Sequence, residues 1–174
     1  MKRVDEQMAF YDAYHRHPLN KATHFIGIPA IIFSILVVLG WARVPVGGFT
    51  ATAAMVTVAV LLGYYFALDR ALAVGMALFL LPALWVAEQV SQWSYAAGGA
   101  VFLVFFVGGW IFQLIGHGVY EKRRPALVDN LFQMIIGPFF LVAEVFFLLG
   151  LKHDLRDRVR EDARRHLPGN AATS

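Results

Sequence analysis

The sequence predicts an all-α integral membrane protein: a compact bundle of four transmembrane helices with a re-entrant or surface fifth apolar segment and an N-terminal interfacial helix. Three observations carry this. Hydrophobic residues make up 59% of the 174-residue chain and charged residues only 16%, far from the balance of a soluble domain. Uncharged runs recur at a length that suits a bilayer core about 30 Å thick. The basic residues stand beside those runs rather than in an arm of their own.

In chain order, Asp5 to His17 reads as a surface helix that Pro18 stops. Phe25 to Ala42 is uncharged for 18 residues, Val44 to Leu68 for 25, Ala71 to Ala87 for 17 and Gln89 to Gly116 for 28. These four runs are the expected spans. The first lies too far into the chain, and is too closely followed by others, for a cleaved signal peptide. Asn130 to Leu151 is the fifth run, interrupted by Gly137-Pro138 and Glu144; a missing backbone donor and a carboxylate are both costly in lipid. The stretch "HDLRDRVREDARRH" reads as a charged helix or frayed tail, and "GNAATS" as disordered. One domain, 1–174, is expected, with an interfacial helix over 1–21, a membrane bundle over 22–151 and a charged cytoplasmic tail over 152–174. Trp41, Trp85, Trp93 and Trp110 fall near span ends or between helices, where interfacial belts and packing account for them.

Basic residues fix the expected orientation. With four crossings, fourteen of the fifteen Lys and Arg share one side and only Arg43 faces the other, a clear cytoplasmic excess. Five crossings would spread the charge 8 to 7, and a non-spanning first run 11 to 4. The pattern suits a bacterial inner membrane or the endoplasmic reticulum; we expect the former, with both termini cytoplasmic. The net charge of +3 is explained by lipid headgroups, not nucleic acid.

With no cysteine in the chain, disulfides, thiolate metal sites and cysteine nucleophiles are excluded. A metal would have to use His, Asp, Glu or water. In this topology His15 and His24 stand at the cytoplasmic mouth of the first span, and the fourth span returns to that mouth at His117. Gln113, His117 and Glu121 follow an i, i+4, i+8 series, as do Tyr11 with His15 and Asn20 with His24 at i, i+4. Two imidazoles from one segment and one from another make a three-nitrogen metal site with open positions. The alternative is that such histidines only snorkel or cap helices, which is the reading for His17, His153 and His166. Gly116 and Gly118 bracket His117, for close approach or for ordinary helix packing. Glu88 falls at the opposite face and reads as a loop entry.

Two stretches, "YHRHPLNKATHFIGIP" (Tyr14 to Pro29) and "WIFQLIGHGVYEKRRPALVDNLFQMIIGPFFLVAE" (Trp110 to Glu144), resemble the Mpo1-like family of membrane-embedded 2-hydroxy fatty acid dioxygenases. The resemblance runs from Tyr11 to about Leu151. It implies an iron(II), Fe(2+), dependent dioxygenase that cleaves long-chain 2-hydroxy fatty acids between C1 and C2 with O2 and without 2-oxoglutarate, leaving an acid one carbon shorter. The family's histidine pattern falls on His15, His24 and His117 as metal ligands, and its acidic positions on Glu121 and Glu144. We therefore expect Glu121 to act with the three histidines in catalysis, and Tyr11, Asn20, Gln113 and Glu144 to hold the substrate. The alkyl chain would lie between helices, among membrane lipids, and the triplet Lys122 to Arg124 would draw the acid headgroup or serve as a topology signal.

Two other classes fit less of the sequence. Membrane di-iron hydroxylases and desaturases use many more clustered histidines than the six here, and a transporter would show inverted repeats and midplane polar groups. A non-enzymatic lipid-binding or scaffold protein with structural histidines is the remaining alternative. Oligomeric state is not legible in the sequence.

Overall fold

The computed structural model describes residues 4–121 and 132–165. The basic triplet Lys122 to Arg124, and His166, lie outside the described residues. Seven α-helices and one β-hairpin are present among the described residues: α1 Val4–Tyr14, α2 Pro18–Leu39, β1 Arg43–Val46, β2 Phe49–Thr52, α3 Ala53–Leu68, α4 Arg70–Ser91, α5 Tyr95–Ile115, α6 Gln133–Leu148 and α7 His153–Arg165, with a π-helical turn Gly116–Glu121 extending α5. The chain divides into two compact units, Ile26–Phe112 and the pair Met1–Phe25 with Gln113–Ser174.

Among the described residues, three helices are long and apolar enough to cross a membrane: α2 and α4, of 22 residues each, and the 27-residue stretch Tyr95–Glu121. By contrast α3 and α6 have 16 residues, about 24 Å at 1.5 Å per residue, against a hydrocarbon core of about 30 Å. The second expected run is thus a hairpin followed by a 16-residue apolar helix, not one continuous helix. The start of its run forms an antiparallel hairpin in which Val46 faces Phe49. Gly47, first of the two turn residues, takes φ 61°, as the primed hairpin turns require. Val44, Val46, Thr50 and Thr52 are β-branched, so the same uncharged stretch that reads as apolar helix also suits strand. Among the described residues, the regular structure is helical apart from this hairpin.

Polar groups hold the hairpin within the unit Ile26–Phe112. Arg43 Nη2 donates to Glu88 Oε2 at 3.2 Å and to Ser91 Oγ at 2.6 Å, while Thr52 Oγ1 donates to Glu88 Oε1 at 2.5 Å. Thr52 also caps α3 by accepting from the Met55 amide, and Asp69 caps α4 by accepting from Ala71 and Leu72. Glu88 is therefore the anchor of the hairpin, buried among its partners.

In the other unit α1 packs against α6 and α7. Asp5, Met8, Ala9, Tyr11, Asp12 and Ala13 are all buried, so α1 is covered on several faces. Ala9, Ala13 and Ala163 form a small-residue contact that lets α1 and α7 approach closely, and Arg158 Nε reaches Asp5 at 3.3 Å. The charged segment after the fifth run is a packed helix: Leu155, Val159 and Ala163 are buried at i, i+4, i+8. Within α6 the chain stays helical through Pro138. Nine of its sixteen residues are buried, and that packing outweighs the single backbone bond the proline removes.

Candidate metal centre

Three elements of one unit converge. α1 ends at Tyr14, so the next residue, His15, leaves the helix while its Nδ1 still reaches the Tyr11 carbonyl at 2.7 Å. α2 opens with Pro18, whose fixed φ suits a first helical position, and its second turn presents His24, with Nδ1 2.8 Å from the Asn20 carbonyl. The π-turn after α5 presents His117. A carbonyl only accepts, so the Nδ1 of His15 and of His24 must each carry the proton. Their Nε2 atoms then hold bare lone pairs.

Those lone pairs meet. His15 Nε2 lies 3.0 Å from His24 Nε2 and 3.2 Å from His117 Nε2, and the last two are 3.2 Å apart. Two of the three nitrogens have no proton to share, so at least one contact sets lone pair against lone pair. A cation at the middle removes that repulsion, and among the described residues this is the group of three that can hold a metal ion. All three histidines are buried. Three nitrogens about 2.1 Å from a common centre stand about 3.0 Å apart at octahedral right angles and about 3.4 Å apart at tetrahedral angles. The observed spacings of 3.0, 3.2 and 3.2 Å lie within that range, so all three nitrogens could hold one ion.

The surroundings keep the donors neutral and fixed. Burial, then the neighbouring His24, holds His15 well below the ordinary imidazole range. Tyr11 stacks on the His15 ring with centroids 3.8 Å apart and planes at 9°, and it stands edge-on to His24 at 6.4 Å. Burial pushes the Tyr11 phenol far above its usual range, so it stays un-ionised. Carbonyl oxygens behind two of the imidazoles supply the outer hydrogen bonds that orient metal-binding histidines; His117 Nδ1 has no partner among the described residues.

The other expected site residues are placed as follows. Glu121 Oε1 accepts from the His17 amide at 2.6 Å, satisfying a free N–H at the start of α2, while the three-nitrogen cluster stands without a carboxylate. His17 is a capping residue, its Nδ1 accepting from Leu19 N at 3.2 Å. Asn20 is fully buried, with both amide atoms unpartnered among the described residues. Gly116 presses against it, since a Cβ there would strike the Asn20 and Thr23 side chains; the glycine serves packing. Gln113 is buried on α5. Glu144 Oε1 accepts from Lys21 Nζ at 2.8 Å, and Asp12 takes the same ammonium at 3.4 Å.

A small pocket touches two of the imidazoles, lined by Tyr11, His15, Lys21, His24, Phe25, Phe140, Leu141 and Glu144. Lys21 and the phenylalanines were not singled out in the sequence, although Lys21, His24 and Phe25 lie at i, i+3, i+4 on α2, as do Phe140, Leu141 and Glu144 at i, i+1, i+4 on α6. Flanking lysines read first as topology signals, so nothing in the sequence marks this one as a site residue.

The chain is 34% identical over 166 residues to the 2-hydroxy-palmitic acid dioxygenase MPO1 of Saccharomyces cerevisiae, covering 88% of this chain and 90% of that protein. No solved structure matches. The family described as 2-hydroxy-palmitic acid dioxygenase Mpo1-like matches residues 1–149, and this chain belongs to that family.

Proposed function

We propose that the protein is an iron(II)-dependent dioxygenase that shortens long-chain 2-hydroxy fatty acids by one carbon, cleaving C1 from C2. The observation that carries this reading is the triangle of Nε2 atoms, together with the similarity to a 2-hydroxy-palmitic acid dioxygenase. His15, His24 and His117 would hold the ion. An imidazole set of this kind with open positions suits iron(II), which when bound would supply the site for O2 chemistry. If C1 leaves as carbon dioxide, one O2 balances the shortened acid, CO2 and one water, so no further reductant or 2-oxo acid is called for.

The protein's own groups would do the rest. Tyr11 and the carbonyls of Tyr11 and Asn20 hold two imidazoles in one tautomer and one orientation. Glu121 is proposed to act from the π-turn beside His117, while Tyr11, Asn20, Gln113 and Glu144 are the polar groups proposed to surround the substrate. Phe25, Phe140 and Leu141 give the cleft an apolar side for the alkyl chain. The enzyme is proposed to lie in a bacterial inner membrane with both termini cytoplasmic, as the distribution of basic residues suggests.

The test is O2 uptake by iron-loaded, detergent-purified protein given 2-hydroxyhexadecanoate, with product chain length read by mass spectrometry. Pentadecanoic acid formed one for one with O2 consumed is the expected result. Folded, iron-loaded protein that binds the acid and consumes no O2 would replace this reading with that of a lipid-binding scaffold.

A further inference from the structure

We propose that Lys21 is the residue that recognises the carboxylate of the acid substrate, held in place by Glu144 and Asp12; this rests on the cleft being the substrate site proposed above. Lys21 is the cationic side chain among those lining the cleft, and it shares that lining with His15 and His24. Its side chain is 21% exposed, so it is largely withdrawn from water without being sealed from it. Three contacts aim it: Glu144 at 2.8 Å, Asp12 at 3.4 Å and the face of Phe140 at 5.4 Å from the ring centroid.

The order of side chains along α2 matches the order of groups in a 2-hydroxy fatty acid. Lys21, His24 and Phe25 share one face, so the cation comes first, the imidazole centre next and the apolar ring last. Opposite, α6 presents Glu144 and Phe140 on one face at i+4. A ligand with its carboxylate at Lys21 and its hydroxyl-bearing carbon by the imidazoles would direct its chain towards Phe25.

Charge makes the recognition selective. Neutral imidazoles contribute nothing, so Lys21 with Glu144 and Asp12 leaves the empty cleft with one negative charge in excess, which repels an anion. A divalent ion on the imidazoles reverses that sign. Carboxylate binding should therefore follow metal binding, and Lys21 should distinguish an acid from its neutral ester. A charge-assisted hydrogen bond in a partly dry site corresponds to about 10- to 100-fold in affinity.

The experiment is anaerobic binding of radiolabelled 2-hydroxyhexadecanoate and of its methyl ester to iron-loaded wild type, Lys21→Met, Lys21→Arg and Glu144→Gln, with metal content and elution volume measured on each. Wild type and Lys21→Arg are expected to prefer the acid by about 10-fold or more, and Lys21→Met to bind acid and ester alike. Glu144→Gln, which keeps the lysine and removes its competing partner, is expected to bind the acid more tightly. Retention of the wild-type preference in Lys21→Met, or unchanged or weaker acid affinity in Glu144→Gln, overturns the proposal. O2 uptake on the same samples separates the two readings: turnover with a preference indifferent to Lys21 sinks only this inference, whereas Lys21-dependent binding without turnover sinks only the oxygenase reading.

Discussion

His15, His24 and His117 meet because each is delivered by a different local device: a helix end, the second turn of a proline-started helix and a π-turn. Because their Nε2 atoms point at one another, removing one imidazole removes a third of any ion's protein ligands without emptying a large apolar volume. His24→Ala and His117→Ala should elute as folded protein yet retain less than about one tenth of wild-type metal, measured by elemental analysis after detergent purification. Acid should act on the same residues. His15 is held neutral in the fold, so below the ordinary imidazole value the unfolded chain takes up a proton that the folded one refuses. The metal-free protein should lose stability as pH falls from about 7.5 towards 5, a drop visible in thermal unfolding scans; a midpoint that rises on acidification would contradict the assignment of neutral imidazoles. The triad was legible in the sequence because i+4 spacing and the return of a long apolar run bring such residues together. Lys21 was not, since one flanking cation looks like every other until the cleft is seen.

At the scale of elements, the π-turn and its glycine decide whether His117 arrives. Gly116 lies where any Cβ would meet Asn20 and Thr23, so Gly116→Ala should push the turn away from α2. We expect a cost of about 1–3 kcal/mol and weaker metal retention, whereas Gly118→Ala, with open space around it, should leave both unchanged within error. Equal effects from the two substitutions would show that packing at Gly116 is not what sets the site. The hairpin offers a second check. Arg43→Ala leaves the buried Glu88 carboxylate with only Thr52, and should lower stability by about 1–3 kcal/mol, read as a shift in unfolding midpoint. Helices with strong apolar content were legible in order and number, but the split of Val44 to Leu68 into strand and short helix was not. An uncharged Val and Thr stretch satisfies both a hydropathy window and a β-propensity pattern, and only the Gly-Gly turn between β-branched residues separates them. The π-turn left no periodic signal in six residues.

For the whole molecule, three helices among the described residues are long and apolar enough to cross a membrane, and two more apolar helices have 16 residues. The chain should resist extraction by alkaline carbonate and come free only with detergent. Because it has no cysteine, single-cysteine variants can report sidedness against a blank background: Gly48→Cys is expected to react with an impermeant thiol reagent from outside the cell, and Arg156→Cys only after the membrane is opened. The reverse pattern would invert the proposed orientation. The central claim, that two histidines of the N-terminal segment and the distant His117 form one metal centre, is tested most directly by elemental analysis of detergent-purified wild type beside His24→Ala and His117→Ala, with elution volume as the folding control. The account predicts close to one iron per wild-type chain and almost none in either folded variant. No metal in the wild type even after anaerobic iron loading, or full occupancy in both variants, would contradict it.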